Sequence, residues 1–295
     1  MKVAVAKYPI GRPRDFEAFA ETQARLLGEA RAAGARVAVL PEYLSLELAA
    51  TFPAAVHADL HASLAAIQQH RAAWLALYAR LADELDLHIN AGTFLLGIGD
   101  GRYRNRSDWF FAGGGHLYQD KLALTAFELE VGSIEPGDAL GVFEVDGIRT
   151  GTAVCYDSEF PLPVRAQREA GMRLLTVPSC TDTAAGATRV RVGCMARALE
   201  NRCFVAQSVT AGIAEWSPAL DVNSGEAALF APMDRGLPED GILAATRGDQ
   251  VWAIADLDFE ALEATRAEAQ VAVDRDWPAQ LRPAIGAAKV LSRGE

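Results

Sequence analysis

The first hundred residues alternate short apolar runs with longer segments of helical periodicity. The apolar runs lie at residues 3–6, 37–40 and 87–94, and their length is typical of buried strands. The segments between them, at about 15–33 and 59–85, are rich in alanine and leucine and have the spacing of amphipathic helices. The chain is therefore predicted to open as β-α-β-α-β.

Hairpin signals interrupt this alternation in the rest of the chain. Three consecutive glycines separate strand-like runs at 106–112 and 116–119, and Asp146-Gly147 separates runs at 141–145 and 148–154. Further strands are predicted at 174–177, 203–209, 227–230, 243–246 and 251–257, and further helices at 162–170, 189–201 and from 259 onward. Helices alternating with strands predict an α/β fold whose helices cover the sheets.

The chain contains no internal repeat or linker-like stretch before its last part. Residues 1–270 are therefore predicted to form one domain. Beyond residue 270 the periodicity is weak and two prolines occur, Pro278 and Pro283. We expect residues 271–295 to form an extended C-terminal arm.

Composition limits the classes of function. Of the 295 residues, 51% are hydrophobic and 23% are charged, so the chain can bury a large core. There are 28 lysines and arginines against 39 acids, a net charge of −11, which makes nucleic acid and anionic membranes poor partners. No run of 18 apolar residues and no signal-peptide pattern is present, so neither a membrane span nor a membrane partner is expected.

The four cysteines, Cys155, Cys180, Cys194 and Cys203, do not form the spacing pattern of a disulfide scaffold. Neither a CxxC pair nor a Cys/His cluster suggests a zinc site. Free thiols are typical of a reducing compartment, so a cytoplasmic location is expected. Neither a metal nor a cofactor is expected.

Three chemically useful side chains stand where predicted strands end: Glu42, Lys121 and Cys155. Side chains at such ends lie at the rim of a sheet, where α/β proteins usually build their sites. If these ends converge, Glu42 would be the general base, Cys155 the nucleophile and Lys121 a cation beside the oxyanion that also favours the thiolate. The alternative is that Cys155 is only a small packing residue, as buried cysteines often are.

Four short motifs extend this pattern. They are Leu40-Pro41-Glu42, the stretch from Tyr118 to Leu124 around Lys121, Val154-Cys155-Tyr156-Asp157 running to Phe160-Pro161, and the stretch from Ala196 to Asn201. In this order and spacing they resemble the nitrilase superfamily of carbon–nitrogen hydrolases, whose triad is Glu-Lys-Cys. The resemblance covers residues 2–262.

The resemblance implies a four-layer α-β-β-α sandwich. It implies pairing into a homodimer, or a higher homo-oligomer, through the helices beside the nucleophile. It also implies a covalent thioester on Cys155, formed with loss of ammonia or an amine from a small-molecule amide and then hydrolysed by water.

Further roles follow from the same resemblance. Many members of the superfamily carry a second glutamate shortly after the lysine; Glu128 fits that place best, and Glu130 is the alternative. The backbone N–H of the residue after the cysteine, here Tyr156, is expected to bind the oxyanion.

The chain also departs from relatives at several positions. Ala123 stands where relatives often have histidine, which puts one helper contact in doubt. Tyr156-Asp157 replaces the Trp-Glu that is common in enzymes acting on nitriles, so the amidase-like branches fit better. Glu159 lies where carboxylate-binding branches tend to place arginine, so we expect it to contact the substrate and to disfavour anions. Arg189 or Arg191 would then be the nearest counter-ions for a substrate carboxylate.

The remaining polar residues of these motifs have simpler interpretations. Cys180, Cys194 and Cys203 are expected to be packing residues. Asp157 is expected to brace the nucleophile turn through backbone hydrogen bonds, and Arg197 with Glu200 to form a structural pair on one helix face.

The first hypothesis for the function is amide hydrolysis. N-carbamoyl hydrolysis and acyl transfer to an amine use the same triad and stay open. Nitrile hydrolysis and a catalytically silent binding scaffold are further alternatives, and the intact triad argues against the scaffold.

Overall fold

The computed structural model describes residues 1–281. The helices are α1 Phe16–Ala32, α2 Ala54–His57, α3 Leu60–Ile67, α4 Arg71–Glu84, α5 Ala126–Val131, α6 Pro161–Glu169, α7 Ala184–Asn201, α8 Phe259–Ala264 and α9 Val273–Asp276. Five 3₁₀ segments span Leu44–Thr51, Gln68–His70, Cys155–Glu159, Thr265–Glu268 and Trp277–Leu281. The strands are β1 Lys2–Pro9, β2 Val37–Val39, β3 His88–Gly99, β4 Arg102–Phe110, β5 His116–Asp120, β6 Ile134–Glu135, β7 Phe143–Val145, β8 Ile148–Thr152, β9 Leu174–Ser179, β10 Phe204–Ile213, β11 Val222–Asn223, β12 Ala228–Phe230, β13 Ile242–Ala245 and β14 Trp252–Asp256.

The strands form a continuous path that folds over on itself at β1. Along residues 2–6, β1 lies between β2 and β14, and the order β5-β4-β3-β2-β1-β14 makes the first sheet. Residues 7–9 of β1 pair instead with β10, in the second sheet, whose order is β7-β8-β9-β10-β12-β13. The short strands β6 and β11 pair with β4 and β10, respectively. The strand β1 therefore belongs to both sheets, with residues 2–6 in the first and residues 7–9 in the second.

The two sheets stack face to face. In β1, Val3 and Val5 point into an apolar layer that also contains Leu174 and Phe204 of the second sheet. Polar contacts cross the same layer: the Trp109 indole donates to Thr152 Oγ1 at 3.0 Å. The alternation of side chains along strands therefore gives each sheet one inner face and one outer face.

Helices cover both outer faces. Ala4 and Ala6, the neighbours of Val3 and Val5, pack with Leu26 of α1 and Trp74 of α4. On the far side, Val177 of β9 packs with residues of α6 and α7, among them Val164, Val190 and Cys194. These layers confirm the expected four-layer α-β-β-α sandwich.

Two of the expected elements take a different form, and the structure adds short helices that were not expected, among them α2 and α5. The long helix predicted at 59–85 is divided into α3 and α4 by the 3₁₀ turn Gln68–His70. The predicted C-terminal arm begins with helical turns, Val273–Asp276 and Trp277–Leu281, because the main-chain oxygen of Asp274 accepts a bond from Arg165 at 3.1 Å and fixes this segment against α6. The rest of the arm, residues 282–295, lies outside the described residues, and the boundary at 270 stays a prediction.

Within residues 1–281, no helix is both long enough and apolar enough to cross a membrane.

Candidate active site

Glu42 is placed by the end of β2 and by a close approach of β3. The carbonyl of Pro41 accepts a bond from the N–H of Thr93 at 3.2 Å. A Cβ at Gly92 would lie only 2.0 Å from that carbonyl oxygen, and Gly92 has a φ of +70°, so glycine is required there. The chain then turns at Tyr43, which leaves the Glu42 carboxylate buried between the sheets.

Lys121 directly follows β5. Its backbone N–H donates to the carbonyl of Asn105 on β4 at 2.9 Å, which extends the pairing of the two strands by one residue. The side chain is buried, although lysine is among the residue types that are least often buried without partners. Its partners are therefore the important feature.

The Lys121 ammonium lies between two carboxylates. Nζ is 2.8 Å from Oε1 of Glu42 and 2.8 Å from Oε2 of Glu128. All three groups are buried, so one positive charge is held by two negative charges in a low-dielectric site. Glu128 thus lies beside Lys121, whereas Glu130 is exposed to solvent. The functional role expected for Glu128 stays a prediction.

Glu128 is held by more donors than any other group of the site. It is the third residue of α5, and it forms a capping box with Thr125, whose N–H donates to Oε2 at 2.9 Å. The Tyr43 hydroxyl donates to its other oxygen at 2.8 Å. These bonds fix the carboxylate behind Lys121, away from the cavity.

Cys155 begins the 3₁₀ turn Cys155–Glu159 with a φ of +48°. A left-handed conformation at a non-glycine residue costs about 1–3 kcal/mol and is common at functional positions. Its thiol donates to the carbonyl of Cys180 at 3.6 Å. The backbone N–H of Cys180 donates to Glu42 Oε2 at 3.0 Å, so the end of β9 joins base and nucleophile.

Asp157 braces the nucleophile turn, as expected. Its carboxylate accepts the N–H groups of Val154 at 3.1 Å, Leu122 at 3.1 Å and Ala123 at 2.6 Å. Burial raises the pKa of Asp157 to about 6 in spite of these donors. The residue therefore ties the turn of Cys155 to the loop after Lys121.

The two glutamates differ in proton affinity. Burial raises the pKa of Glu42, and the charge of Glu128 adds to this rise, while Lys121 opposes it. Burial acts in the same direction on Glu128, but the Lys121 charge and the surrounding donors outweigh it, so the pKa of Glu128 lies below its ordinary value. Glu42 is therefore the carboxylate that can take up a proton, while Glu128 keeps its charge.

The thiol of Cys155 is neutral at rest. Burial and the Glu42 charge raise its pKa well above the ordinary value, and Lys121 only partly opposes this rise. The Lys121 ammonium does favour the thiolate, as expected, but burial and the Glu42 charge outweigh its effect on the pKa. A reaction of this thiol as a nucleophile would therefore require a base.

These groups lie at one end of a cavity of about 520 Å³. Glu42, Lys121 and Cys155 line its inner part, and Tyr156 and Glu159 line its wall. The substrate-binding roles expected for Tyr156 and Glu159 stay predictions. Further lining residues are contributed by the start of α7 and by the segment 218–222: Thr181, Asp182, Gly186, Arg189, Val190, Pro218, Ala219, Asp221 and Val222.

Charges on the outer wall are mainly negative. Glu159, Asp182 and Asp221 face one arginine, Arg189, whose Nε is 3.7 Å from Glu159. The Arg189 side chain is 63% exposed, whereas that of Glu159 is 23% exposed, so the contact between them is loose and partly solvated. The other proposed counter-ion, Arg191, lies over the Phe230 ring, away from this wall.

Three residues of the site have contacts that were not expected from the sequence: the side chains of Tyr43 and Asn105 and the main chain of Cys180. Tyr43 and Asn105 both bind the carboxylates, and Cys180, expected only to pack, binds Glu42 and Cys155 through its main chain. Tyr43 is the neighbour of Glu42, which was the only available signal. Cys194 and Cys203 are buried packing residues, and Arg197 pairs with Glu200 at 3.0 Å, as expected.

Among residues 1–281, no group of three or more His, Cys, Asp or Glu side chains has an arrangement suited to a metal ion. The expectation of a reaction without metal or cofactor stays a prediction.

A family model described as carbon-nitrogen hydrolase matches residues 2–267 of the chain. Among curated proteins, the "Probable hydrolase YhcX" of Bacillus subtilis is 28% identical over 269 residues, which is 90% of this chain and 51% of that protein. The "Omega-amidase NIT2" of Xenopus tropicalis is 28% identical over 134 residues, 45% of each chain. The chain thus spans about half the length of these relatives.

Solved structures share the fold. Nit3 of Saccharomyces cerevisiae, described as a member of branch 10 of the nitrilase superfamily, aligns with a TM-score of 0.74 at 20% identity, covering 93% of this chain and 96% of that one. An amidase from Nesterenkonia sp. aligns with a TM-score of 0.68 at 21% identity, covering 94% and 96% of the two chains.

Proposed function

Since the chain belongs to the carbon–nitrogen hydrolase family, we propose that it hydrolyses a linear amide bond of a small molecule and releases ammonia or an amine. The observation that carries this proposal is the convergence of Glu42, Lys121 and Cys155 on the inner end of one cavity. The amidases among its relatives support the reaction class.

The reaction begins when the amide carbonyl carbon lies against Sγ of Cys155. Glu42 takes the thiol proton as Sγ forms its bond to that carbon, and the carbonyl oxygen becomes an oxyanion. The Lys121 ammonium and the backbone N–H of Tyr156 are the donors that we assign to the oxyanion. The tetrahedral intermediate collapses with cleavage of the C–N bond, and Glu42 returns the proton to the departing nitrogen.

The second half of the cycle removes the acyl group. Glu42, again ionised, takes a proton from water as the water oxygen attacks the thioester carbon. The C–S bond then breaks, the carboxylic acid leaves, and the proton on Glu42 returns to Sγ. Glu128 keeps its negative charge throughout and holds Lys121 at the oxyanion.

The outer wall of the cavity supports a substrate class. Glu159, Asp182 and Asp221 contribute three negative charges against the single positive charge of Arg189. An anionic group bound there would be repelled, and an ammonium group would be attracted. We therefore propose that neutral or amine-bearing amides are preferred to monoamides of dicarboxylic acids.

Self-association through α6 and α7 is also proposed. Their outer surface exposes four apolar side chains, Phe160, Leu162, Val192 and Leu199, and the Leu162 side chain is 70% exposed. A second copy of the chain is the occupant expected from the resemblance. Sedimentation of the wild type and of Leu162→Asp tests this, and a monomeric wild type would contradict it.

The central experiment measures ammonia release from a panel of primary amides and N-carbamoyl compounds, with the intact mass recorded early in the reaction. We expect turnover and a mass adduct on Cys155 equal to the acyl group. Hydroxylamine added during turnover should yield a hydroxamate if the acyl group is open to an amine nucleophile. Absence of both turnover and adduct in the wild type across the panel would contradict the proposal.

A further inference from the structure

Asn105 is a buried residue of β4 that contacts both carboxylates of the site and the main chain of Lys121. Its side-chain Nδ2 donates to Oε1 of Glu42 at 2.8 Å and to Oε1 of Glu128 at 3.2 Å. Its backbone carbonyl accepts the N–H of Lys121 at 2.9 Å. One residue thus links both carboxylates and the lysine.

The orientation of the Asn105 amide is determined by these contacts. A rotated amide would place its oxygen against two carboxylate oxygens, where it would be repelled. In the observed orientation the amide oxygen is buried and has no hydrogen-bond partner within residues 1–281. A buried acceptor without a partner lowers stability, so the two bonds to the carboxylates, and not packing alone, explain an asparagine here.

The bonds at Glu42 are distributed unequally between its two oxygens. Oε1 accepts from both Lys121 and Asn105, at 2.8 Å each. Oε2 accepts the Cys180 N–H at 3.0 Å and has a lone pair left. We propose that Asn105 is a positioning residue of the hydrolase: it fixes Oε1 of Glu42, so that Oε2 is free to receive the Cys155 proton, and it stabilises the ionised form of the base.

This inference rests on the proposed function but makes its own prediction about pH. The groups that face Glu42 come from several elements: Tyr43, Lys121, Glu128, Cys155 and Cys180. Among the described residues, only Asn105 contributes a neutral side-chain donor to both carboxylates. Removing it weakens the ionised state of Glu42 without changing the charge of the site, so proton uptake by Glu42 should shift to higher pH.

The experiment follows alkylation of Cys155 by iodoacetamide, read by peptide mass spectrometry between about pH 5 and pH 9, where Glu42 assists removal of the thiol proton. Wild type, Asn105→Leu and Asn105→Ala are compared. Loss of a hydrogen bond to a charged group predicts that the alkylation rate falls roughly 10- to 100-fold near neutral pH. The acid limb of the pH–rate profile, where the rate falls as Glu42 takes up a proton, should move to higher pH by about one unit. The matched control is Asn90→Leu.

Asn90 is equally buried on the neighbouring strand β3, but it bonds Thr176 at 3.2 Å and no carboxylate. Asn90→Leu should therefore lose stability and keep the acid limb in place. The inference is overturned if the acid limb of both Asn105 variants stays at its wild-type position. It is also overturned if the acid limb of Asn90→Leu shifts as far as that of the Asn105 variants. If Asn105→Leu does not fold, Asn105→Ala decides.

Alkylation needs no amide substrate, so this outcome is separate from the fate of the proposed function. A wild type that turns over no amide while the limb still shifts would overturn only the proposed function. In active enzyme, the same variants should lower kcat far more than they raise KM, because Asn105 does not line the cavity.

Discussion

The carboxylate of Asp157 accepts a hydrogen bond of 2.6 Å from the backbone N–H of Ala123. Through this contact the turn that carries the nucleophile is fixed to the loop that carries Lys121.

We predict that Asp157→Asn weakens both fold and activity. The amide offers one acceptor oxygen where the carboxylate has two, so at least one buried N–H loses its partner. The cost should be about 1–3 kcal/mol in the free energy of unfolding. Urea denaturation and amide turnover measure the two effects. A variant with wild-type values in both would contradict the bracing role.

Cys155→Ala and Cys155→Ser should both lose more than roughly 10³-fold in turnover. The serine hydroxyl is far less acidic than the thiol, so Glu42 cannot activate it. Both proteins should unfold at nearly the wild-type urea concentration, because little packing is removed. Cys194→Ala, a buried thiol away from the cavity, is the control and should retain turnover. Normal turnover by Cys155→Ala would contradict the mechanism.

Removal of the Lys121 charge should destabilise the protein strongly. Lys121→Met leaves the Glu42 and Glu128 carboxylates buried without their shared cation, at a cost of about 3–5 kcal/mol. The double variant Lys121→Met/Glu128→Gln should recover part of this stability, because it removes one of the two charges. Urea denaturation of wild type, Lys121→Met, Glu128→Gln and the double variant gives the coupling energy between the two residues. Additive effects of the two substitutions would contradict the prediction.

Substrate charge should matter in the direction set by the outer wall. For amides matched in size, we expect kcat/KM to be roughly tenfold higher for the cationic than for the anionic member, after solvent screening of a larger Coulomb energy. Glu159→Gln and Asp221→Asn should reduce this ratio, and Arg189→Gln should increase it. If the anionic amide is preferred and Glu159→Gln changes nothing, Glu159 is structural.

Glu47 should make stability depend on pH. Its carboxylate is buried, accepts bonds from the Tyr8 hydroxyl at 2.5 Å and the Gly11 N–H at 2.6 Å, and has its pKa raised by burial from 4.5 to about 7. The folded state thus holds this proton to higher pH than the unfolded chain does. The resulting stability is complete below about pH 4.5 and is lost as pH rises through about 7.

The test compares wild type with Glu47→Gln by urea denaturation near pH 5.5 and pH 8. Relative to the variant, wild type should lose about 2 kcal/mol between the lower and the higher pH. Glu239→Gln, an exposed glutamate, is the control and should track wild type. An equal pH dependence in Glu47→Gln would contradict the assignment.

The sequence predicted a site residue wherever a charged residue directly follows a run of apolar residues. A charge directly after a buried run signals the end of a strand, so Glu42 and Lys121 could be placed at a sheet edge. Asn105 gave no such signal, because a polar residue within a strand usually faces solvent. Only the stacking of a second sheet makes its face an interior one.

Substrate-binding residues were harder to predict for a different reason. Asp182 and Asp221 lie far apart in the chain, and each alone is an ordinary loop residue. They share a wall because the start of α7 and the segment 218–222 both reach the cavity mouth. Neither local propensity nor hydrophobic periodicity predicts which loops distant in sequence lie close together in the fold. Glu159 could be anticipated only because it lies four residues after the nucleophile.

The stacking of the two sheets has a consequence for the kinetics of folding. Glu42 and Lys121 belong to the first sheet, whereas Cys155 and Cys180 follow strands of the second. The contact from Cys180 to Glu42 closes a loop of 138 residues, and that from Lys121 to Glu42 one of 79. Such non-local closures come late and slowly during folding. Recovery of catalysis after dilution from urea should therefore lag behind recovery of helical circular dichroism, and enzyme activity would time the docking of the two halves.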